Sequence, residues 1–247
     1  MAKIIAIANQ KGGVGKTTTA VNLAEGGRRV LLIDLDPQGN ATSGAGLKPG
    51  QATVYELLSG TVPFEQVLTA TRTQGLSMLP SDIRLAAAEV ELVQVENREY
   101  QLKNALAGKL SGYDYVLIDC PPSLGLLTLN ALTAADSALV PIQTEYYALE
   151  GVTALRNTIA RLQRSVNRDL RLEGVVLTMY DGRTNLSLQV AAQVKKHFKG
   201  KVFSTLIPRN VRLGEAPSHG LPISAYDPRS AGAEAYRALA QELQRRN

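Results

Sequence analysis

The stretch that decides the fold is Asn9-Gln10-Lys11-Gly12-Gly13-Val14-Gly15-Lys16-Thr17-Thr18-Thr19. An apolar run at residues 4–8 precedes it, and residues 20–24 continue it with a helix-like pattern. A strand, a glycine loop and a helix in this order are the context in which a phosphate-binding loop is expected. The glycines let successive backbone N–H groups point at phosphate oxygens, and the positive end of the helix dipole adds to the attraction.

Two side chains of this loop are predicted to act on the phosphates and the metal. Lys16 is expected to bridge the β- and γ-phosphates of a nucleotide, and the Thr17 hydroxyl is expected to hold Mg²⁺. A glycine turn that binds no ligand is the alternative, and the lysines and threonines around the glycines argue against it. The residues predicted to contact the nucleotide here are Lys11, Gly12, Gly13, Val14, Gly15, Lys16, Thr17 and Thr18.

The spacing of the loop fits the Walker pattern G-x-x-x-x-G-K-[ST] only loosely. Residues 11–18 instead match the deviant Walker form, which has an extra lysine near its start. They resemble the deviant-Walker ATPases, which include ParA/Soj chromosome-partitioning proteins, MinD-type septum-site proteins and nitrogenase iron proteins. The chain has one cysteine, Cys120, which cannot bind a cluster alone and disfavours the iron–sulfur branch.

Length and composition indicate a globular α/β protein. The chain has 247 residues, of which 45% are hydrophobic and 20% charged. No apolar run approaches the roughly 20 residues that span a bilayer, and the strand at residues 3–8 leaves no room for a signal peptide before it. A cytoplasmic location is therefore expected.

Charge is distributed unevenly along the chain. Residues 1–150 contain 11 Lys and Arg against 15 Asp and Glu, whereas residues 151–247 contain 16 against 7. This asymmetry predicts a polyanion-binding face in residues 151–247. The polyanion could be nucleic acid or an anionic membrane surface, and a basic surface without a partner is the third possibility.

Apolar runs alternate with helical stretches, which predicts one P-loop domain over residues 1–247 with a mostly parallel, twisted sheet and helices on both faces. Ligands of such sheets bind at the carboxyl ends of the strands. The predicted strands are 3–8, 29–34, 76–79, 113–119, 137–141, 172–179 and 201–207. The predicted helices are 16–25, 85–107, 123–135, 150–164, 186–198 and 231–245.

Two acidic residues end predicted strands where the ligand is expected. Asp36, in the sequence Asp34-Leu35-Asp36-Pro37, could act on the attacking water or in the metal shell, or could be a turn residue. Asp119 ends a buried strand and could accept a hydrogen bond from Thr17 or from metal-bound water, or could only cap a helix. The P-loop upstream and the Pro-Pro-Ser that follows favour the functional interpretation of Asp119.

Three further segments are expected at the same edge. Pro208-Arg209-Asn210 suits recognition of a base, because Asn can pair with an adenine edge while Pro covers its face, although a plain loop is the alternative. Met179 ends the predicted strand at residues 172–179 and is also predicted to contact the nucleotide. Glu145, within residues 141–151, is predicted as a neighbour of the nucleotide, with the start of a helix as the simpler interpretation.

Residues 3–245 resemble ParA/Soj proteins throughout, including the segments D-x-D-P-Q-G-N, D-x-P-P-S and Pro217-Ser218-His219-Gly220. The resemblance implies that Lys16 and Asp36 are catalytic and that Asp36 positions the hydrolytic water. It also implies that Lys11 reaches the active site of a second subunit in an ATP-bound homodimer. The first helix is about one turn shorter than is usual in the family. Because the motifs on either side of it are intact, a shortened helix and a preserved site are expected.

The same resemblance implies a DNA-segregation ATPase with ATP and Mg²⁺ as cofactors. Arg183 and Arg212 match arginines implicated in sequence-independent binding of double-stranded DNA. A ParB-type centromere-binding partner is expected to stimulate an otherwise weak hydrolysis and to release the protein from the nucleoid.

Two rival functions remain open at this point. A MinD-like membrane ATPase would need a C-terminal amphipathic segment, but residues 235–247 contain only Tyr236, Leu239 and Leu243 as sizeable apolar groups. Their spacing suits docking onto the protein better than insertion into a membrane, so no stable membrane association is expected. A metabolic P-loop enzyme, such as a dethiobiotin-synthetase-like ligase, would need a substrate pocket for which no motif is present.

Overall fold

A computed structural model describes residues 2–26, 28–145 and 148–247, with only the backbone described for 148–156. Within these ranges the core is one eight-stranded sheet. Its strands are β1 (Lys3–Ile7), β2 (Val30–Asp34), β3 (Thr69–Ala70), β4 (Leu76–Leu79), β5 (Tyr115–Asp119), β6 (Ser137–Gln143), β7 (Arg171–Tyr180) and β8 (Val202–Pro208). Their order is β3-β4-β2-β5-β1-β6-β7-β8, and only the β3–β4 pair is antiparallel.

Helices cover both faces of the sheet, and an apolar cluster fills the space on each side. The helices are α1 (Lys16–Leu23), α2 (Asn40–Gly44), α3 (Val54–Leu58), α4 (Phe64–Val67), α5 (Leu85–Glu91), α6 (Gln101–Leu106), α7 (Leu126–Ala134), α8 (Ala148–Ser165), α9 (Asn185–His197), α10 (Val211–Glu215), α11 (Ile223–Tyr226) and α12 (Ala231–Arg246). Side chains of α7, α8 and α9 pack on one face, and those of α1 and α12 on the other. The predicted fold class is therefore confirmed.

The central strands bring the ends of β1, β2 and β5 together. Strand β1 lies between β5 and β6, and the register pairs Ile7 with Asp119 and Asp34 with Asp119. Because parallel strands bury both faces, these segments are continuous apolar runs that end in a polar residue. This arrangement places the P-loop beside the two carboxylates that end β2 and β5.

The prediction of a single helix over residues 85–107 was wrong. Helix α5 ends at Glu91, Leu92–Gln94 and Arg98–Tyr100 form short 3₁₀ helices, and α6 follows. Val95 is extended, and Asn97 has a left-handed backbone with φ of 52°. Asn tolerates this region better than most residues, so the chain can change direction there.

Other boundaries differ by a few residues from the predictions. Helix α1 ends at Leu23, two residues early, and the Gly26 N–H donates to the Leu23 carbonyl at 3.1 Å. Gly27 follows Gly26 and lies outside the described residues. Helix α7 begins at Leu126 rather than at residue 123, and the two-residue strand β3 was not predicted. These differences leave the sheet order and the P-loop unaffected.

A side chain of helix α12 accepts hydrogen bonds from the backbone where the register between β7 and β8 shifts, at the edge of the sheet. Between two consecutive pairs of the register, β7 advances by two residues, from Val175 to Leu177, whereas β8 advances by four, from Val202 to Leu206. The Glu242 carboxylate accepts hydrogen bonds from the N–H groups of Ser204 and Thr205 at 2.8 and 2.9 Å. Backbone donors displaced by the bulge are therefore satisfied by a side chain.

No helix in the described ranges has the length and apolar character needed to cross a bilayer.

Candidate nucleotide and magnesium site

The P-loop occupies the turn between β1 and α1. Gly13 and Gly15 have φ of 73° and 86°, a left-handed conformation that glycine adopts at little cost. Apart from its own residue and the two adjacent residues, no described part of the chain lies within 4 Å of where a Cβ on Gly12 or Gly13 would stand. The backbone therefore lines open space at the start of a helix, where anions bind well.

Neighbouring strands hold the loop in this shape. The Asn9 amide donates to the Pro141 carbonyl at 2.7 Å and accepts from the Lys11 N–H at 3.0 Å. The Thr178 hydroxyl donates to the Val14 carbonyl at 2.8 Å. Asn9 and Thr178 were not predicted as site residues. Their only sequence signal was a position at the end of a predicted strand.

Lys16 is nearly buried at the start of α1, with 7% of its surface exposed. Its ammonium group donates to the Lys11 carbonyl at 3.2 Å. Burial lowers the pKa of Lys16, and the Asp119 carboxylate opposes that shift. A bound phosphate would offset the cost of burying this cation, as expected for the P-loop lysine.

Thr17 and Asp119 form the predicted metal pair. The Thr17 hydroxyl donates to Asp119 Oδ2 at 2.7 Å. Asp119 Oδ1 is buried and has no hydrogen-bond partner in the described part of the chain. Burial, followed by repulsion from Asp34, raises the pKa of Asp119 well above its ordinary range. An unpaired buried carboxylate oxygen beside a hydroxyl fits Mg²⁺, which takes oxygen ligands and keeps several waters.

Over the described ranges, no group of three or more His, Cys, Asp and Glu side chains is placed to hold a metal ion.

Asp34 and Asp36 have different environments. Asp34 is fully buried and accepts from the Thr42 N–H and hydroxyl at 2.8 and 2.7 Å. Desolvation raises the pKa of Asp34 to about 6, although the Thr42 hydrogen bonds oppose the shift. Asp36 is 8% exposed, and its Oδ1 accepts from the Gln38 N–H at 3.0 Å. The turn contact that the sequence left open is therefore present, and the action of Asp36 on water stays a prediction.

Cys120 follows Asp119 and is fully buried. Burial and the adjacent carboxylate raise the pKa of its thiol. The thiol therefore stays protonated, as expected of a small packed residue rather than a reactive one.

The residues predicted to bind the base come together at the ends of β7 and β8. Tyr180 pairs with Pro208, and the Arg209 N–H donates to the Tyr180 carbonyl at 3.1 Å. Met179 has a left-handed backbone with φ of 50°, which is unusual outside glycine and is often found at functional sites. Asn210 Oδ1 caps α10 through the Arg212 N–H at 2.8 Å. Its amide N–H₂ is therefore the group suited to an adenine nitrogen.

Glu145 lies beside the P-loop and is about half exposed. Its carboxylate pairs with the Lys11 ammonium at 3.2 Å and accepts from the Gln143 amide. Lys11 and Glu145 were both predicted to lie at the nucleotide site, and in this structure they contact each other. Tyr146 and Tyr147, within the same predicted segment, lie outside the described residues.

Comparisons with known proteins identify the family. A family model described as "AAA domain" matches residues 2–172. The sporulation initiation inhibitor protein Soj of Bacillus subtilis is 57% identical over 249 residues, with 98% of each chain covered. The chromosome partitioning protein ParA of Myxococcus xanthus is 52% identical, with 99% of this chain and 89% of ParA covered. The chain belongs to the ParA/Soj family of chromosome-partitioning ATPases.

A solved structure with the same fold holds a nucleotide and magnesium. It is that of a cobyrinic acid a,c-diamide synthase from Mycobacterium smegmatis with bound ADP and magnesium. The TM-score is 0.86 at 42% identity, and 99% of this chain and 95% of that chain are covered. The predicted family, ATPase activity and cofactors, ATP and Mg²⁺, are confirmed at the level of the ParA/Soj family.

The C-terminal helix of this ParA/Soj family member is part of the core. Tyr236, Leu239 and Leu243 are at most 5% exposed and pack on the face of the sheet that α1 covers. The prediction that these side chains dock onto the protein is confirmed. The apolar stripe that a MinD-like membrane segment would need is therefore already buried.

The two arginines predicted to bind DNA in the ParA/Soj interpretation are exposed but paired. Arg183 is 90% exposed along its side chain and lies 2.8 Å from Asp181, whose pKa it lowers to about 2. Arg212 lies 2.8 Å from Glu215 and 3.6 Å from Asp227. Both positions suit contact with a polyanion that can compete with these carboxylates, and DNA binding stays a prediction.

Proposed function

We propose that this chain is a DNA-partitioning ATPase whose ATP-bound homodimer binds double-stranded DNA without sequence preference and releases it after hydrolysis. The observation that carries the proposal is the Thr17–Asp119 pair, in which Asp119 Oδ1 has no partner among the described residues, in a chain 52% identical to a chromosome partitioning protein. The single sheet supports one ATPase domain over residues 1–247. The excess of Lys and Arg over Asp and Glu supports a DNA-binding face in residues 151–247.

The residues of the site divide the work of hydrolysis. The P-loop N–H groups and the Lys16 ammonium bind the phosphates, and Thr17 and, through water, Asp119 hold Mg²⁺, with Asp36 as a further candidate. Mg²⁺ neutralises charge that develops on the phosphate oxygens. Asp36 accepts a hydrogen bond from the attacking water and so orients it. Met179 and residues 208–210 enclose the base.

Lys11 supplies the step that needs a second subunit. Its side chain is about one third exposed, and within the described residues its ammonium forms an ion pair with Glu145 of the same subunit. Exposed ion pairs are weak, so Lys11 can leave Glu145 at little cost. In the closed homodimer it stabilises charge on the phosphate of the partner subunit, as an arginine finger does.

Assembly would also control DNA binding. Arg183 and Arg212 can contact phosphates, and a homodimer presents each arginine twice. Each neutralised phosphate releases counterions, so affinity rises steeply with the number of contacts. A ParB-type protein that stimulates hydrolysis would separate the dimer and release it from DNA. The protein is accordingly expected in the cytoplasm, associated with the nucleoid and not stably with membranes.

The test is binding to random-sequence duplex DNA with ATP, ADP or no nucleotide, over a series of salt concentrations. We expect ATP-dependent binding that weakens with salt. Arg212→Ala should reduce affinity and lower the salt slope by about 1 for each phosphate that the protein no longer neutralises. Arg72→Ala is the control, because Arg72 is exposed beside β3, at the edge of the sheet opposite β8.

Two results would contradict the proposal. One is an absence of DNA binding in every nucleotide state, and the other is ATP-dependent attachment to anionic liposomes instead. The second result would favour the MinD-like function.

A further inference from the structure

The loop that follows Asp36 touches the loop that follows Arg212 through two glycines. A Cβ on Gly46 would stand 2.6 Å from the Gly220 carbonyl oxygen, and a Cβ on Gly220 would stand 2.7 Å from Gly46 Cα. Both residues have positive φ, 74° and 62°. The two backbones are therefore in direct contact, without a side chain between them that could absorb a movement.

Gly46 is connected to the nucleotide site by a short series of hydrogen bonds. Thr42, in α2, donates twice to Asp34, which ends the strand next to Asp119. The Ser81 N–H donates to the Thr42 hydroxyl at 2.9 Å, and the Ser81 hydroxyl donates to the Asp36 carbonyl at 2.9 Å. Helix α2 then ends two residues before Gly46. Buried contacts therefore connect Asp36 to the helix that precedes Gly46.

Gly220 is connected to Arg212 in the same way. The 3₁₀ helix Ala216–His219 follows α10 without a gap, and the carbonyls of Ala216 and Pro217 accept the hydrogen bonds that close the Gly220 turn. The Tyr226 ring stacks on His219 at 4.9 Å between centroids, and its hydroxyl donates to Glu215 at 3.1 Å. Glu215 is the carboxylate that holds Arg212. The position of Gly220 therefore bears on the position of Glu215.

We propose that the Gly46–Gly220 contact couples nucleotide binding to the release of Arg212 from Glu215 and Asp227. In the described arrangement these carboxylates neutralise Arg212. When the Asp36 loop closes on ATP, Gly46 displaces Gly220, the Ala216–His219 segment shifts, and the guanidinium becomes available to a DNA phosphate. Packed backbones switch between discrete arrangements rather than deform continuously, which makes such a contact suited to this task. The inference rests on the proposed function, because it requires Arg212 to bind DNA.

The first experiment measures DNA affinity with ATP and without nucleotide, and takes the ratio of the two affinities. Gly46→Ala places a methyl group against Gly220 and should reduce this ratio at least fivefold, while ATP-dependent dimers still form in sedimentation. Gly60→Ala is the matched control, because Gly60 has a φ of 70° and open space around it. The control separates backbone strain from disruption of the glycine pair, and its ratio should stay that of the wild type.

A second variant acts on the other end of the connection. Glu215→Gln removes the charge that faces Arg212 and should raise DNA affinity in the absence of nucleotide severalfold. A merely structural role for Glu215 would not produce this gain. Unchanged affinity without nucleotide would overturn the release of Arg212 as the controlled step.

Amide hydrogen exchange in the unaltered protein keeps the test independent of how well the variants fold. ATP should change protection at residues 43–47 and 216–221 together, and a change confined to residues 43–47 would overturn the coupling. If the wild type binds DNA in an ATP-dependent way but Gly46→Ala behaves like Gly60→Ala, the coupling is overturned while the proposed function stands. Lack of DNA binding by the wild type would overturn the proposed function itself.

Discussion

A buried hydrogen bond between the first and last helices offers a quantitative test of how the P-loop helix is held. The Thr19 hydroxyl in α1 and the Tyr236 hydroxyl in α12 lie 3.1 Å apart. Thr19 is fully buried and Tyr236 is 3% exposed. Burial raises the pKa of Tyr236, so its hydroxyl remains neutral.

The magnitude follows from burial. Tyr236→Phe leaves the Thr19 hydroxyl buried and unpaired, which should lower the free energy of unfolding by about 1–3 kcal/mol. Thr19→Val leaves the Tyr236 hydroxyl unpaired, at a similar cost. In the double variant both polar groups are gone, so the decrease in its unfolding free energy should be smaller than the sum of the single decreases by about 1 kcal/mol or more.

Urea unfolding at constant m-value measures these decreases, and melting temperature should fall by about 2–4 °C per kcal/mol in a domain of this size. Tyr113→Phe is the control, because no hydrogen bond of the Tyr113 hydroxyl is found in the described structure, and its effect should stay within about 0.5 kcal/mol. A double variant that shows the full sum of the single decreases would refute the reasoning, because Thr19 and Tyr236 would then act independently.

Three further predictions concern other contacts. Burial opposes the shift, but hydrogen bonds from β8 and from Arg246 lower the pKa of Glu242 to about 2. Its contribution to stability is therefore complete above its unfolded pKa of about 4.3 and is lost as pH falls toward 2. The difference in unfolding free energy between wild type and Glu242→Gln should therefore be smaller at pH 3 than at pH 6. Gly174→Ala would place a Cβ 2.5 Å from the Phe203 ring and should cost about 1–3 kcal/mol in urea unfolding, whereas Gly112→Ala, in open space, should not. Lys11→Ala should reduce ATP hydrolysis at least tenfold while ATP binding, measured by calorimetry, persists through Lys16; an equal reduction of both would contradict the assigned role.

The sequence was sufficient for seven of the eight strands and for the P-loop, because both depend on local pattern. Buried parallel strands are visible as apolar runs, and the residue after each run marks the ligand edge, which located Asp36 and Asp119. The hydrogen bonds that shape the loop were not predictable in this way. Thr178 reaches Val14 across 164 residues of chain, and no local pattern specifies that pairing.

The break between α5 and α6 shows a second limit. Residues 85–107 have helical composition, yet α5 ends at Glu91, Val95 is extended and Asn97 has a left-handed backbone. A single Asn in a helical pattern does not reveal whether tertiary packing will select that conformation. The pairing of Lys11 with Glu145, and of Arg212 with two carboxylates, depends likewise on side chains that only the folded sheet brings together.

The bond between Thr19 and Tyr236 joins residues 217 positions apart, and it has a consequence for biosynthesis. The ribosome produces Lys16 and Thr17 near the beginning of translation, but β1 needs β5 and β6 as neighbours and α1 needs α12 as its cover. Such long-range contacts cannot form before the distant segment has emerged. A nascent chain from which β5, β6 and α12 have not yet emerged therefore lacks the neighbours that hold β1 and α1 on either side of the P-loop.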